Sequence, residues 1–276
     1  PGDVGTDLSH PQEEVRETIK QLLQANFCRS QEALRVLEEY SKLYNPQMAA
    51  ACKQMRYRVY TIESSLLYSY RHQQLHNAQL YLVTSPQAEL LKVVEAALKG
   101  GLTLLQYRDK DASDSNRLEK AHQLCQLCHR YNALFIVNDR VDIALAVDAD
   151  GVHLGQQDAP VAFARELLGT HKIIGRSTTN KQELNKAIAE RADYVGVGPF
   201  YETPTKPGKA AASVEYIEYV KAKCPVPWFA IGGVDLNNLN GVLSKGAQRV
   251  AVVRAIMQAD QPTLITRQFL SQLMSR

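Results

Sequence analysis

The sequence lacks the features that mark membrane-spanning, disulfide-rich and nucleic-acid-binding proteins. It contains no run of about 18 apolar residues, so it predicts no transmembrane helix. Its five cysteines are an odd number scattered over 276 residues, which favours reduced thiols in a cytoplasm over a disulfide framework. A net charge of +3 does not indicate a nucleic-acid partner, although it suits an anionic substrate. We therefore expect a cytoplasmic protein with neither membrane nor nucleic-acid partners.

The first residues also lack the marks of a signal peptide. PGDVGTDLSH has no basic end and no apolar centre. The first methionine is Met48, from which we expect that further sequence precedes Pro1.

Residues 1–76 predict a small, all-α N-terminal domain. Asn45-Pro46 should end one helix, and the stretch after it is typical of another. So short a unit buries little core of its own, and we expect it to need a partner surface. The predicted apolar stripe consists of Phe27, Ala33, Leu34, Val36, Leu37 and Tyr40.

A row of polar residues repeats on the same helix at a spacing of three. We interpret it as a solvated face with ion pairs. A docking or dimer surface is the alternative, so a homo-oligomer stays open. The row consists of Asn26, Arg29, Glu32, Arg35, Glu38 and Glu39.

Residues 77–276 have a different sequence pattern, in which short apolar runs alternate with amphipathic stretches. Eight such units predict a parallel sheet closed into a (β/α)8 TIM barrel, with a doubly wound open sheet as the alternative. The eight predicted strands are 79–85, 102–110, 133–139, 151–155, 172–178, 194–199, 227–233 and 249–255.

Polar residues occupy the end of the second predicted strand at a spacing of two. In a barrel, the chemistry lies at the C-terminal ends of the strands. Alternation puts Gln106, Arg108 and Lys110 on one strand face, and two buried cations require an anion to meet them. We expect this face to point into the barrel mouth; a face exposed to solvent is the alternative.

One aspartate ends the third predicted strand and another follows the fourth. Asp139 comes directly after Asn138, and Asp158 ends the run GQQD. Carboxylates on neighbouring strand ends suit a hard divalent cation such as Mg²⁺. The alternative is helix capping, because each aspartate precedes a predicted helix.

The later strand ends carry features of an anion site. Ser177 ends the fifth strand, Gly232-Gly233 the seventh, and Val253-Arg254 the eighth. The loops after strands 7 and 8 of such barrels frequently bind phosphate through backbone N–H groups.

A long loop, GPFYETPTKPGKAAA (198–212), follows the sixth strand. Thr203, Thr205 and Lys206 offer hydroxyls and a positive charge, while two prolines stiffen the chain. We interpret the loop as a flap over an anionic ligand, with an ordinary surface loop as the alternative.

These motifs together resemble those of the thiamin phosphate synthase family. The order and spacing match along residues 79–272, and the helical first part resembles an extension of longer bacterial members. The matching motifs are QYRDK, VNDR, GVHLGQQD, GRSTTN, GVGPFYETPTK, AIGG and VAVVRAI.

The resemblance implies a transferase that works with two small phosphorylated heterocycles and Mg²⁺. It implies coupling of 4-amino-2-methyl-5-hydroxymethylpyrimidine diphosphate to hydroxyethyl-thiazole phosphate, with loss of pyrophosphate through a dissociative, carbocation-like step. The implied pyrimidine diphosphate site is Gln106, Arg108, Lys110, Asn138, Ser177 and Lys206. Of these, Arg108, Lys110, Ser177 and Lys206 are implied as catalytic. The implied metal ligands are Asp139 and Asp158, and the implied thiazole phosphate site is Thr203, Thr205, Gly233, Val253 and Arg254.

Two other functions stay open on the sequence alone. Relatives on the same barrel act as thiazole tautomerases, and a catalytically silent phosphate-binding regulator is the third reading. The joint presence of Arg108, Lys110, Asp139, Asp158 and Lys206 favours the synthase.

Overall fold

The computed structural model describes residues 19–202 and 211–275. The chain divides into two compact units, the first ending at Tyr70 and the second beginning at Arg71. None of the described helices is long and apolar enough to cross a membrane.

Two helices form the described part of the first unit, α1 (Ile19–Tyr44) and α2 (Pro46–Asn77), and α2 continues into the second unit. Asn45 separates them, because its side-chain Oδ1 accepts hydrogen bonds from the backbone N–H groups of Gln47 and Met48, each at 3.1 Å. This caps the first turn of α2, where Pro46 needs no hydrogen-bond partner for its nitrogen. The predicted break at Asn45-Pro46 is confirmed.

The predicted faces of α1 are partly wrong. Glu38, placed by its spacing on a solvated face, is only 6% exposed, whereas Leu37 and Tyr40 of the predicted apolar stripe are 46% and 67% exposed. Arg56 of α2 is the physical reason: its Nε and Nη2 donate to one Glu38 carboxylate oxygen at 3.1 and 2.9 Å. Spacing along one helix cannot reveal a partner on another helix.

The second unit is a closed barrel of eight parallel strands in sequential order. The strands are β1 (Leu80–Val83), β2 (Leu104–Tyr107), β3 (Leu134–Asn138), β4 (Gly151–Leu154), β5 (Ile173–Thr178), β6 (Tyr194–Val197), β7 (Trp228–Ile231) and β8 (Val250–Val252). Leu82 aligns with Leu105 of β2 on one side and with Val252 of β8 on the other, which closes the sheet. The predicted (β/α)8 barrel preceded by helices is confirmed, and the open sheet is wrong.

Short helices connect the strands on the outside. They are α3 (Leu90–Lys99), α4 (Asp114–Arg130), α5 (Val141–Ala146), α6 (Val161–Leu168), α7 (Lys181–Ala189), α8 (Val214–Lys223), α9 (Leu239–Ser244), α10 (Arg254–Met257) and α11 (Pro262–Met274).

Strand alternation divides the apolar residues into two cores. Leu80, Leu82 and similar residues pack outward against the helices in one large cluster. A smaller cluster fills the barrel interior around Tyr81, Tyr194 and Phe229, whose ring centroids lie 5.2–5.8 Å apart. These three rings occupy the middle of the barrel, so the level above them is free for polar side chains.

Candidate active site

A cavity of about 100 Å³ opens at the C-terminal ends of the strands, where polar side chains were predicted. Four strands and the loops after them supply its polar wall. The predicted residues that line it are Gln106, Arg108, Lys110, Asn138, Asp139, Asp158 and Ser177. Because β2 ends at Tyr107, Arg108 and Lys110 lie in the loop beyond the strand that was predicted to hold them. They line the cavity nevertheless, as expected for a face that points into the barrel mouth.

Asp139 and Asp158 form an interacting pair of carboxyl groups in this cavity. Burial raises the pKa of Asp139, and a hydrogen bond to the Asp158 carboxyl raises it further. Burial opposes ionisation of Asp158 as well, but its pKa is lowered by the hydrogen bond with Asp139 and by the Gly155 backbone N–H. That N–H donates to Asp158 Oδ2 at 2.6 Å. The two carboxyl groups therefore have opposite pKa shifts, and Asp139 is the one that is protonated more readily.

Lys110 completes the charged end of the cavity. Its Nζ lies 3.1 Å from Asp139 Oδ2, and its side chain remains 55% exposed. An exposed ion pair of this kind is weak, so Lys110 can exchange its partner for an anionic ligand at small cost.

The backbone at Asp139 is held in an unusual conformation. Its φ is +62°, in the left-handed region that Asp and Asn tolerate better than most residues. Its N–H donates to the carbonyl of His153 at 2.8 Å, which fixes the turn against β4. The N-cap positions of the following helices are Arg140 and Pro160 rather than the two aspartates, so the capping alternative is wrong.

The two carboxylates suit Mg²⁺, but not a cation that needs three or more protein ligands. Within residues 19–202 and 211–275, no group of three or more His, Cys, Asp or Glu side chains could hold a metal ion. Mg²⁺ commonly takes one or two carboxylates together with water and substrate phosphates. Asp139 and Asp158 supply that donor set.

A chain of buried hydrogen bonds runs beneath the cavity and was not predicted. Gln106 Nε2 donates to the Tyr81 hydroxyl at 2.6 Å, and this hydroxyl lies 2.7 Å from that of Tyr194. His153 then links Tyr194 to Ser177, with Nδ1 at 3.0 Å from the tyrosine hydroxyl and Nε2 at 2.9 Å from Ser177 Oγ. Donation in a single direction, from Gln106 towards Ser177, is consistent with all four of these contacts.

The ionisation states of this chain are set by burial. Burial raises the pKa of both Tyr81 and Tyr194, so the hydroxyls remain neutral. The chain thereby fixes the orientations of Gln106 and Ser177, two predicted site residues. The one sequence signal for it was His153, a polar residue within the buried strand GVHL.

A second cavity of about 310 Å³ adjoins the first over the ends of β5 to β8. It is lined by the predicted residues Gly233, Val253 and Arg254. Both cavities share the walls formed by Ser177, Gly196, Ile231 and Val253. A ligand in each would therefore meet at this shared wall.

The glycine pair after β7 allows a close approach of two loops. Gly232 and Gly233 have φ values of +103° and +66°. A Cβ on Gly232 would lie 2.5 Å from Pro199 Cβ, and one on Gly233 would lie 2.8 Å from Tyr201 Cβ. No other residue satisfies both the backbone angle and the space at these positions.

The remaining predicted residues, Thr203, Thr205 and Lys206, lie outside the described residues, so the flap stays a prediction. On either side of them, Tyr201 N–H donates to Gly232 O at 3.0 Å and Ala212 N–H donates to Pro199 O at 2.7 Å.

Comparison with known proteins places this chain in a family. Residues 80–256 match the profile described as thiamine monophosphate synthase, and residues 1–65 match that of the ThiD2 family. The thiamine-phosphate synthase of Nostoc punctiforme is 68% identical over 99% of this chain and 78% of its own length. That of Gloeobacter violaceus is 51% identical over 99% and 80%.

A solved structure agrees with these sequence matches. The thiamine phosphate pyrophosphorylase of Pyrococcus furiosus superposes with a TM-score of 0.66 at 34% identity, covering 74% of this chain and 98% of that one. The predicted family is confirmed: this chain belongs to the thiamine monophosphate synthase family.

Proposed function

We propose that this chain is a Mg²⁺-dependent thiamine-phosphate synthase that transfers a pyrimidinylmethyl group from its diphosphate to the nitrogen of a thiazole phosphate. The observation that carries the proposal is the pair of adjoining cavities. One has cations and an acidic pair, the other lies over the ends of β7 and β8, and they share a wall. Two bound heterocycles would be held in contact there, which replaces a bimolecular encounter by a positioned one.

Bond cleavage requires stabilisation of the departing pyrophosphate. Arg108 and Lys110 line the cavity as cations, and Lys110 can exchange its carboxylate partner for the ligand. Asp139 and Asp158 would hold Mg²⁺, which supplies further charge neutralisation on the leaving group when bound. Such preorganised charges act most strongly where charge develops in the transition state.

The pyrimidine must be oriented and kept from water after the bond breaks. Gln106 and Ser177 present polar groups held by the chain through Tyr81, Tyr194 and His153. Both ring nitrogens of His153 are engaged, so we assign it an orienting role and not that of a base. The apolar wall of the second cavity limits water at the shared boundary.

The test is product formation by the purified chain. The pyrimidine diphosphate and thiazole phosphate are mixed with MgCl₂ or with EDTA, and thiamine phosphate is followed as fluorescent thiochrome. We expect Mg²⁺-dependent product, and a decrease in kcat/KM of about 100-fold, or about 2.7 kcal/mol, in Asp139→Asn.

Asp148→Asn is the matched control. Asp148 is also an aspartate with positive φ (+52°), but it pairs with Lys172 and lines neither cavity. Its variant should retain activity. Lys206→Ala tests the predicted flap and should lower turnover strongly. Binding of thiazole phosphate without any product would refute the synthase and favour the tautomerase or the silent phosphate-binding regulator.

A further inference from the structure

Arg176 is a buried cation that lines neither cavity. It lies on β5 between Gly175 and Ser177 and is only 2% exposed. Ser177 faces the cavity, so alternation turns Arg176 outward, the side on which Ile174 packs against the helices. At such a position an apolar residue would fill the space and would need no hydrogen-bond partner.

The surroundings of Arg176 compensate its charge incompletely. Its Nη1 donates to the carbonyl of Ala159 at 3.0 Å, while its Nε is buried without a hydrogen-bond partner among the described residues. A fully buried arginine is rare unless it is paired, because the guanidinium loses its hydration. Such a costly residue beside an active site suggests a functional requirement.

The carbonyl group that Arg176 reaches belongs to the loop that carries Asp158. Two hydrogen bonds tie this loop to β5, one on each side of Asp158. Gln156 Nε2 donates to Ser177 O at 2.6 Å, and Arg176 Nη1 reaches Ala159 O. Within the loop, the Gly155 N–H holds one Asp158 oxygen at 2.6 Å. The position of the Asp158 carboxylate therefore depends on both ties to β5.

We propose that Arg176 is a positioning residue that holds the loop of Asp158 in the geometry required for Mg²⁺. This inference rests on the proposed function of Asp139 and Asp158 as metal ligands. Arg176 touches neither cavity, so it acts through Ala159 and the loop. Residues that orient metal ligands in this way commonly change metal affinity by about 10- to 100-fold when removed.

Positioning and simple electrostatics predict opposite results. Arg176 is one of the groups whose charge lowers the pKa of Asp158. If it were only a neighbouring cation, its removal would relieve repulsion of Mg²⁺ and strengthen metal binding. If it positions the loop, its removal weakens metal binding although a repelling charge has gone.

The experiment measures binding of inorganic pyrophosphate to the full chain by calorimetry, in MgCl₂ and in EDTA. The dissociation constant in EDTA divided by that in MgCl₂ gives the contribution of Mg²⁺, while the EDTA value alone reports the cationic part of the site. We expect Arg176→Met to reduce this ratio by about tenfold or more with the EDTA value unchanged. Arg176→Lys, which can still donate to Ala159 O, should restore part of the ratio.

Two further variants define the outcomes. Asp158→Asn should abolish the Mg²⁺ contribution, whereas Arg165→Met should leave it unchanged. Arg165 is the matched control because it also supports loop carbonyls and pairs with Asp193, but it lines neither cavity. If Asp158→Asn abolishes the Mg²⁺ contribution but Arg176→Met leaves the ratio unchanged or increases it, the positioning role of Arg176 alone is overturned. Absence of any Mg²⁺ contribution in the unaltered chain would overturn both this inference and the proposed metal site.

Discussion

The hydroxyl of Tyr81 allows a quantitative test of the buried hydrogen-bond chain. In Tyr81→Phe the ring remains between Tyr194 and Phe229, so the aromatic packing is retained. The hydroxyl that accepts from Gln106 at 2.6 Å and meets Tyr194 at 2.7 Å is lost. Gln106 is only 4% exposed, so its side-chain N–H loses this acceptor in a largely buried position.

The expected loss of stability follows from the side-chain N–H of Gln106, which is left without an acceptor. A buried N–H without an acceptor costs about 1–3 kcal/mol, and Tyr194 can still donate to His153. We therefore expect the free energy of unfolding to fall by about 1–3 kcal/mol. Each kcal/mol corresponds to about 2–4 °C in Tm for a protein of this size.

Tyr107→Phe provides the matched control. Tyr107 is 2% exposed, and its hydroxyl has no hydrogen-bond partner among the described residues, while burial raises its pKa to about 12. Removing this hydroxyl leaves no partner unsatisfied and should leave stability unchanged or increase it by up to about 1 kcal/mol. Thermal and urea unfolding of the two variants would refute the reasoning if Tyr81→Phe were neutral or if both variants lost equal stability.

Two further predictions concern the glycine turn and the effect of pH. Gly232→Ala places a side chain at a φ of +103° with its Cβ 2.5 Å from Pro199, so the free energy of unfolding should fall by about 2–5 kcal/mol. Gly241→Ala, within helix α9, is the control and should lower it by less than about 1 kcal/mol. Equal Tm values for the two variants would contradict this prediction. Burial, followed by the charges of Arg71 and Lys172, lowers the pKa of His171 below 6.5, so the unfolded chain binds more protons below that pH. The free energy of unfolding should therefore fall as the pH decreases from about 6.5 towards 5. This loss of stability should be smaller in His171→Asn. Equal slopes of Tm against pH in the two proteins would exclude His171 as the cause.

Much of the barrel was predictable because parallel strands have a strong local signature. Buried on both faces, they appear as short apolar runs, and their C-terminal ends meet on one side of the barrel. Gln106, Arg108 and Asp139 could thus be assigned to one mouth before any coordinates were known. The exact end of β2 at Tyr107 could not, because the polar continuation resembles a strand in its alternation.

The hydrogen-bond chain and the ion pair of Glu38 were not predictable for a different reason. Tyr81 and Tyr194 are 113 positions apart, and Glu38 and Arg56 belong to different helices. A periodic pattern describes one element at a time and carries no information on which side chains meet across elements.

The sequence by itself determined the barrel, the helical N-terminal part and the family, because the spacing of apolar runs and the polar motifs after them are local properties of the chain. Only the tertiary structure decided that Asp139 and Asp158 line one cavity, that the two cavities have a common wall and that Arg176 reaches the loop of Asp158. The two contacts of the Asp158 loop depend on the pairing of neighbouring strands, because the register of β4 against β3 and β5 sets which side chains meet at the strand ends.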